Sequence, residues 1–175
     1  MMDKNHPLFV RYSQMFQDTW QLFKKYYEPV HGTKDEEDTY WENFMEEQGV
    51  LFLKYDKDVL IREFINVIAD DMERRYKTSS SEKESKNTRM DKNHPLFAKY
   101  SQMFQDLWQL FKRYYGPKIE TMEKDSYWKN IEKEKQTFSL KYGEIGISNK
   151  FVQVVVDDIK RKSNTTVATN EQESA

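Results

Sequence analysis

Residues Met2–Tyr27 read MDKNHPLFVRYSQMFQDTWQLFKKYY, and residues Met90–Tyr115 read MDKNHPLFAKYSQMFQDLWQLFKRYY. Only four of these 26 positions differ. The match continues more weakly at an offset one residue shorter: DTYW at Asp38 pairs with DSYW at Asp125, LKY at Leu53 with LKY at Leu140, and FINVIADDMERR with FVQVVVDDIKRK. A repeat of this period means one structural unit used twice. The expected organisation is therefore a tandem duplication: a helical module over 2–77, a flexible polar linker over 78–89, a second module over 90–163, and a disordered tail over 164–175. The linker stretch KTSSSEKESKNTR has no apolar residue to anchor it. Its span as a coil is roughly 20 Å.

Each block reads as three helices. His6-Pro7 suits a helix start, with His6 as the cap and proline in the first turn. Leu8, Tyr12, Met15, Leu22 and Tyr26 then recur at helical spacing, and Phe9, Phe16, Trp20, Phe23 and Tyr27 form a second stripe beside them. Together they cover a sector of about 160°, wider than the ~100° a surface helix normally buries. A second helix is expected from about Thr39, where Thr39 and Glu42 have capping-box spacing, to Tyr55, with Trp41, Phe44, Leu51 and Tyr55 inward. The third runs from about Asp58 to Tyr76, burying Leu60, Ile61, Phe64, Ile65, Ile68 and Met72. Its counterpart FVQVVV is rich in β-branched residues that favour sheet, yet the pairing with Ala69, Met72 and Glu73 argues for helix. The fold class expected is all-α, two copies of a small three-helix bundle.

Composition narrows function. The 175 residues hold no cysteine, which removes disulfides, thiolate nucleophiles and Cys-based metal sites. No signal core or membrane span is visible, so a cytoplasmic location is expected. Net charge is −2 with signs interleaved, and that gives little sequence-independent attraction to phosphate. The clusters Lys24-Lys25, Arg74-Arg75, Lys112-Arg113 and Lys160-Arg161-Lys162 all have acidic neighbours. Direct nucleic-acid binding is therefore not expected.

No catalytic, cofactor or metal pattern emerges. His6 and His94 lack the partners of a zinc site and read as helix caps, while His31 sits in a turn with Gly32. Asp70-Asp71 and Asp157-Asp158 stand four residues before cations, the spacing of ion pairs on a solvated face. Trp, Tyr and Met are the residues that protein interfaces favour. The aromatic first helices, nearly identical while the rest has drifted, thus supply the candidate partner-binding residues Phe16, Trp20, Tyr27, Phe104, Trp108 and Tyr115. For most of these rings packing in the core of the module is the expected role; the faces that remain are expected either to join the two copies in a pseudo-two-fold seam, with self-association of a single block, or to meet another protein.

The block MDKNHPLF-x2-YSQMFQD-x-WQLFK-[KR]-YY resembles small helical proteins carried on phages, plasmids and conjugative elements of gut Firmicutes. Anti-CRISPR proteins belong to that class and are similar to this chain in being short, cysteine-poor and non-enzymatic. The resemblance implies a protein partner, Cas9 with its guide RNA being the most specific form, and no site residue is carried over from it. The alternative is a nucleic-acid-associated regulatory protein of a mobile genetic element.

Overall fold

The computed structural model describes residues 2–78, 89–115 and 124–172, with side chains described to residue 163. Residues 79–88 of the expected linker lie outside the described residues. The helices are α1 (Phe9–Lys25), α2 (Lys34–Lys54), α3 (Val59–Thr78), α4 (Phe97–Tyr114), α5 (Lys124–Tyr142) and α6 (Ser148–Gln172). Among the described residues there is no strand, so the protein is all-helical. FVQVVV lies within α6, where Phe151, Val152, Val155 and Val156 are buried. Burial on one helical face overrides the β preference of its valines. The backbone of α6 continues to Gln172, past Ser163, where the apolar pattern stops.

The second helix starts earlier than its sequence signal suggests. Thr33 is the N-cap, and its side chain accepts from the Glu36 amide while Glu36 reaches back to the Thr33 amide. Thr39, by contrast, is inside α2 and donates to the Asp35 carbonyl. Both TKDE and TYWE have capping-box spacing, but only the first follows the Gly32 turn and puts Asp35, Glu36 and Glu37 against the positive end of the helix. In α2 the buried residues are Tyr40, Phe44 and Leu51, while Trp41 is half-buried.

The chain forms two compact units, and each draws on both sequence blocks. One is continuous, Gln14–Phe104; the other is discontinuous, Met1–Ser13 with Gln105–Ala175. In the continuous unit the rings of Phe16 and Phe64 meet edge to face at 5.2 Å, and Tyr26 packs on Phe44 at 5.1 Å. Around them close Leu60, Ile61, Ile68 and Met72 of α3, as periodicity predicts. The discontinuous unit has a core of Leu107, Phe111, Ile131, Phe151, Val152 and Val155, all fully buried. Each unit also ties its helices with one carboxylate. Asp18 accepts from Lys54 at 2.6 Å and from the Tyr55 hydroxyl at 2.7 Å. Asp106 accepts from Lys141 at 2.7 Å and from Tyr142 at 2.6 Å.

The turns after these ties differ. Asp56 and Lys57, between α2 and α3, have φ of 53° and 59°, the left-handed region that costs a side-chain-bearing residue energy. Beyond α5, Gly143 lies so close to the Ser139 carbonyl oxygen that a Cβ would sit 2.7 Å from it. Glycine there is a packing requirement.

Candidate protein-binding surfaces

The aromatic first helices are consumed by packing within each unit. In the continuous unit Trp20 meets Phe97 at 5.6 Å and Phe104 at 5.2 Å, and Phe23 meets Tyr100 at 5.0 Å. Tyr27 meets His94 at 5.0 Å and Tyr100 at 5.3 Å. Of the six candidate residues this unit therefore gathers Phe16, Trp20, Tyr27 and Phe104. Phe16 and Phe104 are buried, while Trp20 and Tyr27 keep a partly exposed edge. The discontinuous unit holds the other two, also partly exposed: Trp108 against Phe9 at 5.4 Å, and Tyr115 against Tyr12 at 5.1 Å and His6 at 5.7 Å.

A buried ion pair covers each aromatic cluster, contrary to the solvated face expected for both residues of each acidic pair. Asp70 and Asp157 are exposed, but Asp71 and Asp158 are buried. Asp71 accepts from Arg74 at 2.6 Å and pairs with Arg75. The Arg75 guanidinium lies 3.8 Å from the Tyr27 ring centroid and donates to the Tyr27 carbonyl. Asp158 pairs with Arg161 and with Lys162 at 2.7 Å, and the Lys162 ammonium sits 4.3 Å from the Tyr12 ring centroid. Cation–π attraction and the carboxylate together hold each cation over the rings. Burial shifts the Tyr100 phenol upward, and burial with the neighbouring Glu134 pushes Tyr114 up to about 12.

Besides their ring contacts, two histidines bond to the backbone beside them: Nδ1 of His6 accepts from the Leu8 amide and Nδ1 of His94 from the Leu96 amide, each at 3.2 Å. His31 stacks on Tyr76 at 4.7 Å. Among the described residues no group of three His, Asp or Glu side chains is placed to hold a metal ion, and no helix is long and apolar enough to cross a membrane. The basic clusters are engaged by carboxylates: Lys25 by Glu47, Arg113 by Glu134, and Lys160 by Glu132.

A different surface stands out on the continuous unit. Trp41, Phe44, Met45, Gln48, Ala69 and Tyr76 line a groove of about 500 Å³ between α2 and α3, with Asp70, Glu73 and Lys77 at its rim. Met45 is 61% exposed, and Val50 and Leu53 farther along α2 are 64% exposed. At 100° per residue these three share the outward arc of the helix with Asp35, Asp38, Glu42 and Glu46, all exposed. In total α2 carries seven carboxylates against two lysines, net −5.

In the discontinuous unit the positions that correspond to the groove are closed by charge, although Leu140, the counterpart of Leu53, is 88% exposed. Where the continuous unit has Met45, Gln48 and Glu73, it has Glu132, Lys135 and Lys160. Glu132 pairs with Lys160 at 3.2 Å and with Lys135 at 3.7 Å. In α5 five lysines oppose three carboxylates, net +2. Met45 stands out in the residues only through the divergence of the two blocks at these positions and the run of acids along α2, not through anything the blocks share. No protein-family model, curated protein or solved structure matches the chain.

Proposed function

We propose that the chain is a non-enzymatic, cytoplasmic binding protein that acts by occupying a basic surface on a protein partner, using the outward face of α2 and the groove beside it. The observation that carries this reading is the coincidence, on one helix, of a net charge of −5 with three large apolar side chains that no core covers. Exposed apolar side chains scattered singly are ordinary, but here Met45 lines the groove and Val50 and Leu53 continue along the same acidic arc. A field of one sign steers and orients a partner of the other, while a few apolar anchors supply most of the affinity. Basic protein surfaces of this kind are those that hold nucleic acid. The most specific form of the reading, drawn from the resemblance of the repeated block, is inhibition of a Cas9-type CRISPR effector, whose guide–target duplex lies in a positively charged channel.

As part of the same proposal, the two blocks descend from duplication of one three-helix unit on a mobile element, and the α2 face specialised afterwards. The test is a titration of the protein into guide-loaded Cas9 with cleavage as the readout, followed by Trp41→Ala and Met45→Ala. Inhibition should weaken by about tenfold or more in each variant with helicity unchanged. Unimpaired cleavage and no complex across several Cas9 orthologues would refute the specific form. Steeply salt-dependent binding to guide RNA alone would favour the nucleic-acid reading instead.

A further inference from the structure

The two aromatic clusters share one design, and in each the opening segment comes from the other block. In the continuous unit His94, Phe97 and Tyr100 sit on Tyr27, Trp20 and Phe23; in the discontinuous unit His6, Phe9 and Tyr12 sit on Tyr115, Trp108 and Phe111. The backbone repeats the pattern. The Met90 amide donates to the Lys24 carbonyl at 3.1 Å and the Met2 amide to the Lys112 carbonyl at 2.8 Å, each satisfying a carbonyl in the last turn of a helix. Both methionine side chains are fully buried.

A block cannot fill its own seat. α1 is continuous over 17 residues from Phe9 to Lys25, about 25 Å. Phe9 and Tyr12 stand at one end of that rod, Phe23 and Tyr27 at or beyond the other. The same holds for Phe97 and Tyr100 against Phe111 and Tyr115 on α4. The two opening segments are also nearly the same. Met2–Ser13 and Met90–Ser101 differ only at Val10/Ala98, both exposed, and at Arg11/Lys99, half-buried and cationic in both.

We infer that the repeated block is an obligate half, and that its ring-lined seat is a homotypic docking surface whose partner is the opening segment of another copy of the same block. In this chain both partners are supplied by one polypeptide. The inference is independent of the α2 face and of the identity of any other partner.

The test uses the full chain with a protease site placed between Ser81 and Glu82 and cut after folding. The two pieces should stay together as one species of the intact mass, with unchanged helicity and a melting midpoint that now rises with concentration. Pieces that part under native conditions into two helical monomers would overturn the inference. In the cut protein, Tyr100→Ala should weaken association about thirtyfold, since it removes the buried ring that the opening segment places on Phe23 and Tyr27. Val10→Ala, which installs the other block's residue at an exposed position, should leave it unchanged; equal effects from the two would also overturn the inference.

Discussion

The continuous and discontinuous units repeat the carboxylate ties and ring clusters of their interiors, although buried Thr19, Phe44 and Ile61 give way to Leu107, Ile131 and Ser148, and they differ again on the face turned outward. Asp18, Lys54 and Tyr55 recur as Asp106, Lys141 and Tyr142 with distances that agree to 0.1 Å. A buried Asp capped by cations over a cluster of rings also recurs. Yet α2 is strongly acidic with exposed Met45 and Val50, whereas α5 is mildly basic and the positions of Met45, Gln48 and Glu73 are filled by an ion-paired triad; an exposed leucine, Leu53 or Leu140, is common to both. Residues that hold a unit together are constrained by contacts on several sides. Those on the outward face answer only to solvent or to a partner, so the asymmetry there is where distinct function is to be sought.

The largest effect expected is from truncating the shared interior. Phe111→Ala and Phe23→Ala each remove a fully buried ring and should cost about 3–5 kcal/mol, with similar values in the two units, by chemical denaturation. A large disparity would show that the two interiors are not equivalent. Asp158→Ala leaves Arg161 and Lys162 without their carboxylate and should cost about 3 kcal/mol. Because those cations are partly exposed and can turn to solvent, the lower end of the usual range is expected.

The carboxylate ties sharpen the comparison further. Tyr55→Phe and Tyr142→Phe each delete one hydrogen bond to a charged acceptor and should cost about 1–2 kcal/mol, equally in both units. Burial raises the pKa of Asp18, but hydrogen bonds from Lys54, Tyr55 and Gln14 outweigh it, and the net value lies below the ordinary 3.8. A depressed carboxylate stabilises the fold above its unfolded pKa and loses that contribution as pH falls through the folded value. Stability from Asp18 should thus be complete above pH 3.8 and decline below it, and Asp18→Asn should flatten that acid limb. The smallest effect concerns the turns: Lys57→Gly relieves a left-handed residue and should stabilise by about 0.5–1 kcal/mol.

Much of the fold was legible in the residues, because helical periodicity reports burial directly. Leu60, Ile61, Phe64, Ile65, Ile68 and Met72 all face inward as their spacing predicts, and the pairing of FVQVVV with a helical counterpart correctly overrode its β-branched composition. The cap of α2 was misplaced because two Thr-x-x-Glu motifs lie six residues apart and only the preceding turn decides between them. The burial of Asp71 and Asp158 was only half legible. One turn before each stands a buried apolar residue, Ile68 or Val155, which puts it on the inward stripe, but one turn after it stand cations, and the rings that roof those cations come from segments far away in sequence. Of the candidate site, the aromatic stripe was plain, but its occupants within each unit could not be read from one helix alone. The α2 face became visible only once its exposed apolar residues could be told from buried ones.

The most direct measurement exchanges the charge on the two outward faces and follows inhibition of guide-loaded Cas9. Glu42→Lys with Glu46→Lys reverses the sign on α2, and Lys129→Glu with Lys133→Glu does the converse on α5. All four positions lie on helix surfaces, and helicity should be unchanged in both double variants. The account predicts that the α2 pair abolishes inhibition while the α5 pair leaves it within about twofold, since removing complementary charge from an interface weakens it and charge elsewhere does not. Equal loss from both, or inhibition untouched by the α2 reversal, would contradict it.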